Sequence, residues 1–224
     1  MKRVGHKGAH HIAPGNTLAS FDAALAHDVD MIEFDVLRQN GRLLLAHDVQ
    51  DARRPDVIEL HEGLDHLAGT GVELDVDLKW HGYESEVLDA LRERDMLDRV
   101  LISTMERISI ERIRALEPAA RLGLSVPKLR RDPRERRFAK YPAYAWLGAF
   151  RELLPARVAR AIRAGRYDAL MSHHALVTPR LVRAIHGAGG ELYVWTVDDE
   201  RQIAALEALG VDGVISNDPR LFAR

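Results

Sequence analysis

Eight short apolar runs alternate with longer amphipathic stretches along the whole chain, and this alternation restricts its possible folds more than any other feature. The runs are Val4–Lys7, Met31–Val36, Val72–Lys79, Val100–Ser103, Leu122–Val126, Ala169–Ser172, Leu192–Val197 and Gly213–Ser216. Between them, apolar residues recur at helical spacing near Thr17–His27, Glu84–Arg94, Arg107–Leu116, Ala156–Ala164, Pro179–His186 and Glu200–Leu209, and more weakly near Leu60–Leu67. Strand alternating with helix implies parallel βαβ units, because parallel neighbours need a long crossover and a helix is the usual one. No low-complexity tract or long linker divides the 224 residues, a length that suits one barrel. The expected architecture is α/β, with residues 1–224 forming a single (β/α)8 barrel. A doubly wound open sheet is the alternative on pattern alone.

One segment breaks the rhythm. Arg42–His47 is β-like and follows the second run after Gln39-Asn40-Gly41. Asn-Gly is a strong tight-turn signal. The second strand is therefore expected to lead into a short β-hairpin above the barrel mouth.

Two strands carry charge where a barrel strand, covered on both sides, should be apolar. In Met31–Val36, Glu33 and Asp35 share one face and Ile32, Phe34 and Val36 the other. In Val72–Lys79, Glu73, Asp75, Asp77 and Lys79 share one face and the four apolar residues the other. Side chains alternate along a strand, so the apolar faces should pack on helices and the acidic faces should point into the barrel. Buried carboxylates are costly without a cation or basic partners. Structural ion pairs or solvated faces are the plainer reading. Read as a site, an all-oxygen set favours Mg²⁺ or Ca²⁺ over zinc. The absence of cysteine removes thiolate ligands and a cysteine nucleophile. A formal net charge of -2 gives no global field for nucleic acid.

Chemistry in a (β/α)8 enzyme sits at the C-terminal ends of the strands. His6 closes the first strand and His47 ends the hairpin arm, so both are expected at the mouth beside the carboxylates. Imidazole is the usual acid or base near neutral pH. Lys7 and Lys79 would add positive charge there, as an anionic phosphate group requires. His173 and His174 end a strand and also face the mouth, whereas His10 and His11 read as exposed loop residues. The stretch Lys128–Lys140, followed by Tyr141, Tyr144 and Trp146, is basic and reads as a solvated loop that could attract anionic lipid or substrate.

Several motifs occur in one order: His6-Lys7-Gly8, Pro14-Gly15-Asn16-Thr17-Leu18, Ile32-Glu33-Phe34-Asp35-Val36, His47-Asp48, Asp77-Leu78-Lys79, Val194-Trp195-Thr196-Val197, and Gly210-Val211-Asp212-Gly213-Val214-Ile215-Ser216-Asn217-Asp218-Pro219. The set resembles the glycerophosphodiester phosphodiesterase family, a TIM-barrel family, over nearly the whole chain. Each motif alone is weak and their order is specific. The resemblance implies metal-dependent hydrolysis of glycerophosphodiesters to glycerol 3-phosphate and an alcohol. Glu33, Asp35 and Asp77 match the metal ligands, with Mg²⁺ or Ca²⁺ as cofactor. His6 and His47 match the acid/base pair. Lys79 and Lys7 match phosphate contacts, and Trp195 matches a substrate-facing wall or plain barrel packing.

Three positions depart from the family pattern. Lys7 replaces an arginine, which turns a bidentate grip into a point charge. Gly15 replaces a glutamate. Asp77 replaces a glutamate and is shorter by one methylene, a gap that a water bound to the ion is expected to fill. Members of the family also carry a capping insertion before the third barrel strand. Here Val49–Val76 leaves little for one beyond Asp51–Ile58, expected to be a tight polar loop, so weak discrimination among head groups is expected. A lysophospholipase D or sphingomyelinase D-like activity, and a catalytically silent barrel binding a phosphorylated ligand, are the alternatives. The start of the chain has no apolar signal region, and no run approaches the ~18 apolar residues of a membrane span. A cytoplasmic enzyme with a small-molecule substrate and no nucleic-acid partner is therefore expected.

Overall fold

The computed structural model describes residues 1–127 and 140–222, without the side chains of 140–149. Residues 128–139 of the basic segment Lys128–Lys140, and the side chains of Lys140, Tyr141, Tyr144 and Trp146, lie outside the described residues. The strands are β1 (Lys2–Gly5), β2 (Met31–Gln39), β3 (Arg42–Leu45), β4 (Glu73–Leu78), β5 (Val100–Thr104), β6 (Arg121–Val126), β7 (Ala169–His173), β8 (Glu191–Trp195) and β9 (Gly213–Ser216). The helices are α1 (Leu18–Leu25), α2 (Leu60–Leu67), α3 (Glu84–Arg92), α4 (Arg107–Leu116), α5 (Lys140–Arg163), α6 (Pro179–His186) and α7 (Glu200–Leu209).

Eight strands pair in parallel in the order β1-β9-β8-β7-β6-β5-β4-β2, and β1 closes the ring onto β2. This is the (β/α)8 barrel expected from the alternation. The antiparallel β3 lies outside the ring. Val36 pairs with Leu78 of β4 on one edge and with Leu45 of β3 on the other. β3 thus occupies the edge of β2 that β1, pairing only with Met31 and Ile32, leaves uncovered. Asn40 and Gly41 both have positive φ, 51° and 78°, which two-residue hairpin turns of this twist require.

The helix side of the wall is apolar throughout: Ile32, Phe34, Val36, Leu74, Val76 and Leu78 belong to one buried cluster with residues of α1 to α7. A second cluster fills the barrel, with Val4, Met31, Leu101, Ala169, Met171, Tyr193 and Ile215. Inward-facing residues stack in rows drawn from alternate strands, the packing characteristic of this fold. Lys2, Glu73, Arg121 and Glu191 form a floor joined by hydrogen bonds. His6, Asp77 and Trp195, from the C-terminal ends of β1, β4 and β8, line the mouth.

Several elements differ from expectation at their ends, β1 and α5 among them. β1 ends at Gly5, two residues early. Lys7 then takes a left-handed φ of 52°, which turns its N–H toward Glu33. α5 begins at Lys140, well before the expected Ala156. Pro155 reads as a helix boundary because it lacks a donor, yet here it is carried inside the helix.

Candidate active site at the barrel mouth

β2 and β4 lie side by side with Asp35 opposite Asp77, so their acidic faces meet. Glu33, Asp35 and Asp77 each offer an oxygen, and these lie within 4.8 Å of one another. A hard cation with bonds of ~2.1–2.5 Å spans about that width.

The charges around this cluster do not close on themselves. Asp35 is fully buried. It faces Lys7 Nζ at 3.2 Å, pairs with Lys79, and accepts from Asn16 Nδ2 at 2.9 Å. Burial alone would raise the Asp35 carboxyl; the Lys79 ammonium, with Lys7 behind it, reverses this and holds it well below the usual range. Burial, and then the Asp35 charge, push Glu33 well above that range. Asp75, one row deeper, is pushed up to about 8 by burial and then by Asp77, against a bond to Ser103. Burial works against the Lys79 ammonium, but Asp35 and Asp77 hold it charged to well above its ordinary pKa. Asp75 Oδ1 and Asp77 Oδ1 are buried with no hydrogen-bond partner among the described residues. Orphaned oxygens in an acid-rich pocket fit a cation and are costly without one.

The first loop is built to serve this cluster. Lys7 N–H donates to Glu33 Oε2 at 2.8 Å. Gly8 follows with φ 82°, and a side chain there would meet Ser20 at 2.6 Å. Ser20 Oγ in turn donates to the Lys7 carbonyl, and Thr17 caps α1. Asn16 Oδ1 accepts the Asp35 N–H at 3.1 Å. The Lys7 turn is thereby pinned between the start of α1 and the acids of β2.

His6, Lys7, Glu33, His47, Asp77, Lys79 and Trp195 all line one cavity of about 180 Å³ with Asp75, and Asp35 sits behind it. His6 Nε2 is 3.8 Å from Glu33 Oε2, and its Nδ1 is 2.5 Å from Asn217 Oδ1. Burial, against the pull of Asp35, pushes the His6 imidazole down to about 4. His47 is at the rim, its side chain 51% exposed and its Nδ1 3.5 Å from Asp48. Trp195 Nε1 is buried with no partner among the described residues.

Other residues have clear local roles. His173 meets Trp195 edge-on, with ring centroids 5.2 Å apart, and accepts the Ala175 N–H; His174 pairs with Gln202. His11 is exposed. His10 accepts the Gly15 N–H at 3.1 Å, and a Cβ on residue 15 would lie 2.7 Å from the His10 ring. Lys7 Cβ would lie at 2.8 Å as well, so the His10 ring and Lys7 together account for the glycine at this departure. Asp51–Arg53 forms a short 3-10 turn whose Ala52 is buried against Leu37, Leu44 and Ala46, so the loop expected to be polar is anchored by an apolar residue. Asn217 and Asp198, which hold His6, were not singled out by residue type. Asn217 does lie in the closing Ser216-Asn217-Asp218-Pro219 run.

Comparison with known proteins agrees with this geometry. Residues 6–65 and 53–221 match the model of the Glycerophosphoryl diester phosphodiesterase family. A glycerophosphodiester phosphodiesterase of Caldanaerobacter subterraneus subsp. tengcongensis is 23% identical, over 96% of this chain and 93% of its own. Among solved structures, a glycerophosphodiester phosphodiesterase from Agrobacterium tumefaciens superposes with a TM-score of 0.75, 21% identity and full coverage of both chains. An Oleispira antarctica phosphodiesterase, solved with the product sn-glycerol-3-phosphate, gives 0.74 at 20% identity, covering 98% of this chain and 94% of its own.

Proposed function

We propose that this chain, which belongs to the Glycerophosphoryl diester phosphodiesterase family, hydrolyses glycerophosphodiesters to glycerol 3-phosphate and an alcohol at the Glu33/Asp35/Asp77 cluster. It is a phosphoric diester hydrolase, as its named relatives are. The observation that carries the reading is the convergence of three carboxylates, two of them buried, within 4.8 Å, beside two lysines and two histidines in one cavity.

Glu33, Asp35 and Asp77 would hold a divalent cation, Mg²⁺ or Ca²⁺, whose chemistry is to polarise a phosphoryl oxygen and acidify an attacking hydroxyl. Lys79, paired with Asp35 and Asp77, would supply positive charge to the phosphate, and Lys7 would flank it. His6 and His47 divide the proton transfers: one takes the proton of the attacking water or glycerol hydroxyl, and the other protonates the departing oxygen. Trp195 closes the wall on the glycerol side.

The test is glycerol 3-phosphate release from glycerophosphocholine, with and without EDTA, followed by restoration with Mg²⁺ or Ca²⁺. Activity lost to EDTA and restored by one ion supports the reading. Activity indifferent to EDTA removes the metal, and faster turnover of lysophosphatidylcholine replaces the substrate class. The same assay on the ethanolamine and glycerol head groups should give kcat/KM values within about tenfold, a spread of ~1.4 kcal/mol.

A further inference from the structure

β6 serves both sides of the barrel wall. Its Ser125 faces inward and lines the mouth, while Leu124 and Val126 face outward onto a second cavity. This cavity, of about 340 Å³, opens between α4 and α5 and shares no lining residue with the mouth. α4 packs on α3 and α5 on α6, so each helix has its packing neighbour on the far side of the groove. Ile110 of α4, Leu154 and Val158 of α5, and Tyr167 just before β7 complete an apolar floor of buried side chains. Four exposed arginines stand around it: Arg107 on α4, Arg157 and Arg160 on α5, and Arg166 in the turn that follows. Glu111 is the one acid among the lining residues.

These arginines differ from others of the helix layer. Arg92 pairs with Glu117, Arg114 with Asp168 and Arg180 with Glu152. The side chains of Arg107, Arg157, Arg160 and Arg166 have no ion pair or hydrogen bond among the described residues. Burial raises the Tyr167 phenol and the charges of Arg107 and Arg166 oppose this, so both guanidiniums stand near it. In the sequence, residues 128–139, which join β6 to α5, add six basic residues against Asp132 and Glu135. Like charge argues against that segment as the cover of the groove, and against a second copy presenting the same face. An anion suits both. A guanidinium grips carboxylate or phosphate through two parallel N–H donors. The floor removes an apolar chain from water. A concave apolar cavity at the lower end of ~300–1,000 Å³, with a few charged groups at its edge, is the form of a small-molecule site. We propose that the groove between α4 and α5 binds a single-chain anionic amphiphile, its apolar chain on Leu124, Val126, Leu154 and Val158 and its carboxylate or phosphate among the four arginines. The site stands independently of the hydrolytic reading, because the two cavities have no residue in common.

Isothermal titration calorimetry of the full chain with decanoate and with decyl phosphate, both below their critical micelle concentrations, tests this. At least one should bind at one to one, and the tighter of the two identifies the head group. Decanol, which lacks the charge, should bind about tenfold or more weakly. Octanoate should bind about tenfold more weakly than decanoate, as expected for two fewer buried methylenes. Arg157→Gln/Arg160→Gln, at two exposed positions, should weaken binding by about tenfold or more. Ala161→Phe, which fills the groove from α5, should do the same, with Tm measured to confirm that the barrel is retained. If that variant unfolds, the arginine pair decides alone. Binding of neither amphiphile, or an affinity within twofold of wild type in Arg157→Gln/Arg160→Gln, overturns the proposal. So does inorganic phosphate binding as tightly as decyl phosphate, which would leave the floor without a role. Retention on phosphatidylglycerol vesicles but not on phosphatidylcholine vesicles, with no binding of the monomeric amphiphiles, replaces the single ligand by a membrane surface. A dimer seen by light scattering that the amphiphile does not disturb, and that Arg157→Gln/Arg160→Gln abolishes, replaces it by a second copy.

Discussion

The floor and the mouth of the barrel are both lined with charge, and they handle it in opposite ways. At the floor, Lys2 holds Glu73 through both oxygens at 2.7 and 2.6 Å, and Arg121 bridges Glu73 at 3.1 Å to Glu191 at 2.9 Å. Two cations meet two anions. Burial alone would raise Glu73, but its bonds to Lys2 and Arg121 hold it below the usual range. At the mouth, Glu33, Asp35, Asp75 and Asp77 face Lys7 and Lys79, and Asp75 Oδ1 and Asp77 Oδ1 have no hydrogen-bond partner among the described residues. The floor is a finished ion-pair network. The mouth leaves negative charge unmatched, as the proposed cation site requires. In this fold the bottom face serves stability and the top face chemistry, and β4 contributes acids to both.

Breaking the mouth at its ligands should give the largest effect. Glu33→Ala or Asp35→Ala should abolish turnover, and EDTA on wild type should do the same, while circular dichroism shows the barrel retained. A ligand variant with more than a tenth of wild-type kcat would remove that residue from the cation site. Next come the histidines: His6→Ala and His47→Ala should each cost about 10²-fold or more in kcat, measured with saturating metal. Near-full turnover in either would remove it from proton transfer.

A stability measurement sharpens the contrast. Asp75 has its folded pKa raised to about 8, so the folded state holds a proton that the unfolded chain releases. Stability should therefore fall as pH rises toward 8. His6, with its folded value lowered to about 4, acts in the opposite sense, but only below its ordinary pKa of ~6.5. Between pH 6.5 and 8, in EDTA, the unfolding free energy from urea titrations should decline by no more than ~1.4 kcal/mol per pH unit for this group, and Asp75→Asn should flatten the decline. An unchanged slope in Asp75→Asn would mean that Asp75 is ionised throughout. The smallest effect belongs to the floor. Glu73→Ala should cost about 1 kcal/mol of stability and leave kcat within twofold. Its folded pKa is lowered, so this contribution is present above the ordinary carboxylate range and disappears as pH falls through the folded value. A large loss of kcat instead would join floor and mouth into one functional unit.

Much of this was legible before folding. The alternation in Met31–Val36 and Val72–Lys79 marks which residues face inward, and the placement of His6 and His47 at strand ends puts them at the mouth. The Asn40-Gly41 turn predicts the hairpin that β2 and β3 form. The left-handed Lys7 was not legible, because a lysine carries no signal for it; only the need of Glu33 for a donor explains it. Nor was the fate of Gly15, which depends on where the His10 ring and Lys7 come to rest.

The sequence alone determined the faces: a strand has a period of two, so apolar and charged residues separate whatever the partners are. It also determined the order of strands and helices, since parallel neighbours require crossovers. Height within the barrel and the partner at each height were decided by tertiary structure. Glu73, Asp75 and Asp77 share one face of β4, yet each pair of residues climbs ~6.6 Å along the strand. Ring closure therefore delivers Lys2 and Arg121 to the first and leaves the second buried beside Ser103. It places the third against Glu33 and Asp35 of the neighbouring strand. His6 likewise meets Asn217 across 211 positions of sequence, because the last strand must pair with the first to close the barrel.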